Sequence, residues 1–142
     1  MPDDAPVRQL RLVLTVDDVE AAVAFYADAL GLPEFASFAD PEGRVVILDA
    51  GRATVEITDR LHAEYVDRVE GVERREAGAA AAGRIRVAFE VTDAEGTTRR
   101  LEAAGARVIA EPVQTPWNSV NARLDGPDGM ELTVFEDRTD DA

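Results

Sequence analysis

The sequence contains no cysteine and no lysine, and its single histidine is His62. Without thiols, the chain can form neither a disulfide nor a thiolate nucleophile or metal ligand. All 15 basic residues are therefore arginine. Together with the many alanine, valine and glycine residues, this composition indicates a GC-rich coding sequence of bacterial type.

Long apolar runs and an excess of positive charge are also missing. No apolar stretch approaches the roughly 20 residues that a membrane-spanning helix needs, and the acidic start Met1–Asp4 lacks the basic residues that begin a signal peptide. The formal net charge is −14, which disfavours binding to nucleic acid or to anionic membranes. We therefore expect a cytoplasmic protein with no nucleic-acid partner and no membrane partner.

What the sequence does have is an internal duplication. The stretch Arg11–Asp18 returns as Arg86–Asp93, 75 positions later. Each copy alternates apolar and polar residues like a strand, ends in an aspartate suited to cap a helix, and is followed by a helix-length segment that ends at glycine. The final strands of the two halves, around Glu56 and Thr133, keep a similar offset. This pattern predicts a duplicated βαβββ module.

Periodicity and turn residues predict the individual elements. The predicted strands cover residues 9–16, 34–38, 44–49, 53–58, 84–91, 107–113, 117–124 and 131–135. Helices are predicted to start after Asp17 or Asp18 and after Asp93, and a helical turn or two lies between Leu61 and Val69. The close spacing of the short strands predicts antiparallel hairpins.

Other segments have simpler interpretations. Phe25 and Tyr26 lie on the apolar face of the first helix, so we expect them in the core. The Glu-rich segment 59–76 is typical of a solvated helix or loop. Residues 77–83 are typical of a flexible linker, although their alanines could also form a short helix. We expect loose tails before residue 9 and after residue 135.

The repeat and its helices, with the motifs Phe25-Tyr26, Leu30-Gly31 and Gly126-Pro127-Asp128-Gly129, resemble the vicinal oxygen chelate superfamily. This superfamily includes glyoxalase I, the bleomycin-resistance proteins and the extradiol dioxygenases. The resemblance implies an α+β fold in which two βαβββ modules form an incomplete barrel around a cleft. It also implies a homodimer.

The resemblance covers nearly the whole chain and divides it simply. Residues 1–142 would be a single domain, with module one at about 9–58, a linker at about 59–83 and module two at about 84–136. Whether the modules pair within one chain or between two chains is left open by the sequence.

In the metal enzymes of this superfamily, four residues in the cleft bind a divalent ion. The resemblance carries these positions to Arg11, Glu56, Arg86 and Thr133. Arginine is always cationic and has no lone pair to offer a metal, so only Glu56 suits the pattern. Glu131 shares a sheet face with Thr133 and would add a second carboxylate in a shifted register. We therefore expect no metal and no other cofactor.

The same cleft predicts the ligand contacts. Trp117 suits stacking on a small molecule, Asn121 suits orienting it, and the two arginines suit forked hydrogen bonds to an anion. Trp117 could instead cover the barrel rim or a dimer contact, and an Arg–Glu56 pair could serve structure alone. His62 would need to lie near the cleft to act as a base. The predicted ligand-binding residues are Arg11, Arg86, Trp117, Asn121 and Thr133, with Glu56 as the candidate catalytic residue.

Three functions follow from these residues. The leading hypothesis is a metal-independent small-molecule binding protein of the glyoxalase/bleomycin-resistance type, which would sequester a drug or metabolite. The alternative is a metal-dependent lyase, isomerase or dioxygenase in which Glu56 serves as metal ligand or general base. The third is an accessory domain with no ligand of its own.

Overall fold

The structure is a computed structural model that describes residues 6–73, 84–126 and 130–139. Its internal contacts divide the chain into two compact units. The first unit is built mainly from Arg11–Arg68. The second unit comprises the N-terminal residues up to Leu10, the short segment Val69–Val72, and the chain from Arg86 onward. Each unit is described below by itself.

The described strands and helices alternate in the order that the duplication predicts. The strands are β1 Val7–Thr15, β2 Glu34–Asp40, β3 Gly43–Asp49, β4 Ala53–Thr58, β5 Ile85–Val91, β6 Arg107–Gln114, β7 Ser119–Asp125 and β8 Glu131–Asp137. The helices are α1 Val19–Val23, continued by a π-helical segment Ala24–Ala29, then α2 Arg60–Glu70 and α3 Ala94–Ala103.

The first unit is a sheet with strand order β2-β3-β4-β1. Both hairpins, β2–β3 and β3–β4, are antiparallel as predicted. Val46, Leu48 and Ile57 point to one side of this sheet and pack with Val19 of α1 into a buried cluster. Because neighbouring strand residues point to opposite sides, Glu56 lies on the side away from α1.

The second unit repeats this plan with strand order β5-β8-β7-β6. Strand β5 pairs in parallel with β8, whereas β6–β7 and β7–β8 are antiparallel. Its apolar cluster lies on the α3 side of the sheet and consists of Val91, Ala94, Ala122, Leu124 and Val134. The polar residues of β7 and β8 therefore fall on the opposite side.

The two duplicated aspartates cap their helices in the same way. Asp18 Oδ1 accepts a hydrogen bond from the Ala21 amide at 3.0 Å, and Asp93 Oδ1 accepts one from the Gly96 amide, also at 3.0 Å. Each carboxylate satisfies a backbone donor of the first turn and faces the positive end of the helix dipole. The predicted caps are confirmed, with Asp18 rather than Asp17 in the first copy.

The first helix differs from its prediction. After Val23 it widens into the π-helical segment, in which the Leu30 amide bonds to the Phe25 carbonyl five residues earlier, at 2.9 Å. Tyr26 packs against the first unit's core, but Phe25 is 63% exposed. The prediction that Phe25 is a core residue is wrong, because Val19, Ala22, Val23 and Tyr26 form the core-facing side at helical spacing and Phe25 lies off that side.

The turn before β7 also differs from its prediction. Trp117 was expected to start the strand, but β7 begins only at Ser119. Asn118 between them has φ 63°, a left-handed conformation that asparagine tolerates better than most residues. Its side-chain amide donates to the Arg138 carbonyl at 2.7 Å, which stabilises the turn and delays the strand.

Helix α2 is a full helix of 11 residues, longer than the turn or two expected. Strand β8 continues to Asp137, two residues beyond the predicted end. The predicted linker 77–83 and most of the 126–129 turn lie outside the described residues. In the part of the chain that is described, no helix is both long and apolar enough to span a membrane.

Gly43 lies where the turn between β2 and β3 meets the start of α2. It has φ +108°, and a Cβ added there would stand 2.3 Å from the His62 amide nitrogen. Gly51 has a similar φ of +81°, but an added Cβ meets nothing within 4 Å. We expect Gly51→Ala to lose about 1–2 kcal/mol of unfolding free energy from the left-handed backbone alone. We expect Gly43→Ala to lose about 1–3 kcal/mol more from overpacking.

Urea unfolding of the two variants measures this difference, and Gly51→Ala serves as the conformational control. Equal losses in both variants would show that α2 moves aside at little cost and would contradict the prediction.

Candidate functional site

The polar side of β4 carries an ion pair and two buried hydroxyl groups. Glu56 Oε1 accepts a hydrogen bond from Arg11 Nη1 at 3.0 Å. On the same side of β4, by strand alternation, lie Thr54 and Thr58, which are only 4% and 3% exposed. Their hydroxyls have no hydrogen-bond partner among the described residues. Such buried groups normally pair with ordered water or a ligand, so this row is a candidate site.

The Arg11–Glu56 pair reaches solvent. The side chains are 27% and 16% exposed, respectively. Partial burial reduces the screening of their attraction, while the exposed part of each group can still meet a dissolved molecule. The first unit thus presents a cation and an anion side by side at an accessible position.

The second unit has a buried ion network on the corresponding side of its sheet. The guanidinium of Arg123 is fully buried. Its Nη1 lies 2.8 Å from Glu131 Oε1, and its Nε donates to Glu70 Oε1 at 2.9 Å. The Arg123 guanidinium is therefore held between two carboxylates, one from β8 and one from the last residue of α2. We call this set, with Asn121 and Thr133, the Glu70 network.

Both carboxylate oxygens of Glu70 accept hydrogen bonds. Oε2 accepts from Asn121 Nδ2 at 3.0 Å, and Oε1 accepts from Arg123 Nε and, at 3.3 Å, from the Thr133 hydroxyl. Arg123 Nη2 also lies 2.9 Å from Oε1. The three hydrogen bonds, from Arg123 Nε, Asn121 Nδ2 and the Thr133 hydroxyl, all run toward Glu70, so its carboxylate serves as the acceptor of the network. It is only 2% exposed.

Thr133 links this network to the duplicated arginine of β5. Its hydroxyl oxygen accepts from Arg86 Nη1 at 2.7 Å and from Arg123 Nε at 3.1 Å, and its own proton goes to Glu70. In the first unit, the matching arginine donates directly to a carboxylate. In the second unit, a hydroxyl stands between the arginine and the carboxylate.

A chain of hydroxyl groups orients Asn121. Because Asn121 Nδ2 donates to Glu70, its Oδ1 is the acceptor for Ser119 Oγ at 2.6 Å. Ser119 Oγ has then used its proton, so in the 2.8 Å contact with Thr115 Oγ1 the threonine is the donor. This sequence of donors fixes the Asn121 amide with its nitrogen toward Glu70.

Each unit brings some of the predicted site residues together. Arg11 and Glu56 meet in the first unit. Arg86, Asn121 and Thr133 meet in the second unit, around Glu70. Trp117 lies in the turn before β7 and is 40% exposed. Their roles in ligand binding stay predictions.

His62 is on the first turn of α2. Its backbone amide donates to Asp59 Oδ1 at 2.8 Å, and its ring lies tilted against Tyr65 with centroids 5.9 Å apart. Both contacts are typical of a helix start. A role as base stays untested.

Sequence reasoning missed Glu70 and Arg123. The segment that holds Glu70 was expected to be solvated, and for Glu70 this was wrong. The sequence does contain a sign of Arg123's position. Arg123 stands between the apolar residues Ala122 and Leu124, which are buried, so it lies on the opposite, polar side of the strand. Nothing local separates Glu70 from the other acids of its segment, because its partners are about 50 positions away along the chain.

The four positions that hold metal in related enzymes do not fit a divalent ion in this chain. Arg11 donates to Glu56, and Arg86 donates to Thr133. Guanidinium groups have no lone pair for a metal and repel a cation. The extra carboxylate considered above, Glu131, is paired with Arg123. Within the described ranges, no three His, Cys, Asp or Glu side chains gather closely enough to hold a metal ion.

Comparison with known proteins identifies the family. The model of the Glyoxalase/Bleomycin resistance protein/Dioxygenase superfamily matches residues 8–134, so the chain belongs to that superfamily. The chain is 25% identical over 131 residues to the uncharacterized protein YraH of Bacillus subtilis (strain 168). The aligned region covers 92% of this chain and 98% of that protein.

Solved structures show the same fold. Methylmalonyl-CoA epimerase from Mycobacterium tuberculosis superposes with a TM-score of 0.66 at 20% identity, covering 96% of this chain and 93% of that chain. A methylmalonyl-CoA epimerase in complex with methylmalonyl-CoA and NH4+ gives a TM-score of 0.64 at 16% identity, covering 95% and 97%. At these identities the likeness is one of fold.

The burial of Arg123 generates a stability prediction. Arg123→Met would leave the two carboxylates Glu70 and Glu131 buried without their cation. Removing one partner of a buried ion pair costs about 3–5 kcal/mol, and we expect a loss of that size in urea unfolding. The matched control is Arg107→Met, since Arg107 is 73% exposed where it pairs with Asp125. Exposed pairs contribute about 1 kcal/mol or less. Similar losses in both variants would contradict the network's role.

Proposed function

We propose that the protein binds a small anionic molecule through Arg11 and Glu56, without a divalent metal. The observation that carries this proposal is the contrast in accessibility between the duplicated sites. The Arg11–Glu56 side chains are 27% and 16% exposed, whereas Arg123, Thr133 and Glu70 of the second unit are sealed at 2% exposure or less. In the second unit the duplicated Arg86 is also partly buried, but it faces the buried hydroxyl of Thr133. An accessible guanidinium beside an accessible carboxylate therefore occurs in the first unit.

The chemistry of the pair defines the kind of ligand that fits. A guanidinium binds carboxylate or phosphate oxygens through forked, charge-assisted hydrogen bonds. The neighbouring Glu56 would accept from a hydroxyl or amine of the same molecule. An anionic group beside a hydrogen-bond donor thus matches both side chains, and the buried hydroxyls of Thr54 and Thr58 could add polar contacts. Binding of this kind needs shape and charge but no reactive group.

The superfamily supports the general part of the proposal. One protein with this fold was solved with methylmalonyl-CoA bound, so the fold can hold an acidic acyl thioester. That ligand is not carried over to this chain at 16% identity, but it supplies a chemically suitable probe.

A cytoplasmic location and a homodimer belong to the same proposal. Edge strand β2 of the first unit exposes Phe35 and Phe38 at 68% and 59%. Large apolar side chains on an unprotected edge suit pairing with a second copy of the chain. Sedimentation velocity at micromolar concentration is expected to show a dimer, and a monomer would contradict this part.

The alternative is a metal-dependent lyase, isomerase or dioxygenase that uses Glu56 as ligand or base. Enzymes of the superfamily favour it, and the donor set around Arg11 opposes it. A metal that binds the native state must raise thermal stability. The alternative therefore predicts that Ni²⁺, Zn²⁺, Mn²⁺ or Fe²⁺ stabilises the protein and that Glu56→Gln abolishes this effect.

Calorimetric titration tests the binding proposal, with methylmalonyl-CoA, methylmalonate and inorganic phosphate as probes. We expect at least one probe to bind to metal-free protein and Arg11→Gln to weaken it roughly 10- to 100-fold. This is the effect of losing a hydrogen bond to a charged group, about 1.5–3 kcal/mol. Arg60→Gln is the control, because Arg60 is half exposed in its pair with Asp17.

Two outcomes would overturn the proposal. One is the absence of binding by all three probes at millimolar concentration, or an affinity that Arg11→Gln leaves unchanged. The other is a metal-induced rise in melting temperature that is lost in Glu56→Gln, which would make the enzyme the better explanation.

A further inference from the structure

The second unit surrounds the Glu70 carboxylate with donors that come from the sheet. Arg123 and Asn121 are on β7, Thr133 is on β8, and Arg86 supports Thr133 from β5. Arg123, Asn121 and Thr133 are each more than nine-tenths buried. The arrangement has the features of a binding pocket for a carboxylate, namely a buried guanidinium, an amide and a hydroxyl that all donate toward two oxygens.

The occupant of this pocket comes from a different element than its walls. Glu70 is the last residue of α2, and Gly71 follows with φ +81°, a conformation that ends a helix at glycine. The Glu70 carboxylate thus comes from the end of a helix, on a flexible side chain, whereas the groups that donate to it come from the strands. Its contacts are those that a free carboxylate of the same size would make.

We infer that the second unit carries a carboxylate-binding pocket whose resident ligand is the chain's own Glu70, and that a small free monocarboxylate occupies it when this side chain is absent. The charges agree with this assignment. Glu131 is already paired to Arg123 Nη1. Removal of the Glu70 side chain would therefore leave Arg123 Nε and Asn121 Nδ2 facing a space of the size of a small carboxylate. Formate or acetate supplies two oxygen acceptors, one for Arg123 Nε and one for Asn121 Nδ2, whereas chloride is a single atom and cannot replace both oxygens.

The test is chemical rescue of Glu70→Ala. Thermal unfolding is followed with sodium formate, sodium acetate or sodium chloride at matched ionic strength. A ligand that binds the native state alone stabilises it by RT ln(1 + c/Kd), where c is the free ligand concentration. We expect about 0.1 M formate or acetate to raise the melting temperature of Glu70→Ala by roughly 2–5 °C above the chloride value, a shift typical of about 1 kcal/mol in a chain of this length.

The wild type and two variants serve as controls. In the wild type, Glu70 fills the pocket, so acetate and chloride should act alike. Glu70→Gln keeps the volume but turns an acceptor into a donor, so the pocket stays filled and rescue should be absent. In Glu70→Ala with Arg123→Met, the main donor is missing and rescue should also be absent.

The proposal remains testable if Glu70→Ala does not fold in buffer. The readout is then recovery of native circular dichroism on addition of formate or acetate, against chloride. Equal behaviour in carboxylate and chloride, whether the variant starts folded or unfolded, would overturn the inference. Rescue of the same size in Glu70→Gln or in the double variant would overturn it as well, because the carboxylate would be acting outside the pocket.

Discussion

The second unit depends on one interaction, the burial of the Arg123 guanidinium between Glu70 and Glu131. A buried charge is tolerated only when its neighbours replace the water it has lost. Arg123 is therefore accompanied by two carboxylates, Glu70 and Glu131, and by a hydroxyl and an amide group that complete the hydrogen bonds around them. The requirement reaches beyond the sheet, because one carboxylate comes from the end of α2. The conformation of that helix end is thus tied to the interior of the second unit.

The same backbone plan leads to different chemistry in the two halves because the partner of the duplicated arginine differs. Arg11 meets Glu56 directly and keeps access to solvent. Arg86 donates to the uncharged hydroxyl of Thr133, and that hydroxyl in turn donates to the carboxylate of Glu70. The network also needs Arg123 on β7, where the first unit has Ile47 beside Glu56, and Glu70 at the end of α2. Several differences therefore separate the accessible ion pair from the internal network.

The sequence predicts what short-range rules control. Strand β4 was predicted with its observed bounds, because alternation and a glycine turn define it locally, and both aspartate caps follow from the first turn of each helix. The π-helical widening around Phe25 and the burial of Glu70 were not predicted. The burial of Glu70 depends on partners about 50 positions away along the chain, which leave no local pattern. A pair between arginine and Glu56 was one of the expectations, because the resemblance to the superfamily places Arg11 and Glu56 among the residues of one cleft.

The overall charge limits how an anionic ligand could be recognised. A chain with a formal net charge of −14 repels anions at long range, so electrostatic steering cannot favour binding. At physiological salt, however, the Debye length is about 8 Å, and most surface charges are screened beyond it. Recognition must then come from contacts within a few ångströms of the guanidinium. Arg11 is suited to this, because its partial burial preserves its short-range field, and Glu56 beside it penalises anions that bring no hydrogen-bond donor. In the proposed binding mode, Arg11 would supply affinity at short range and Glu56 would supply selectivity.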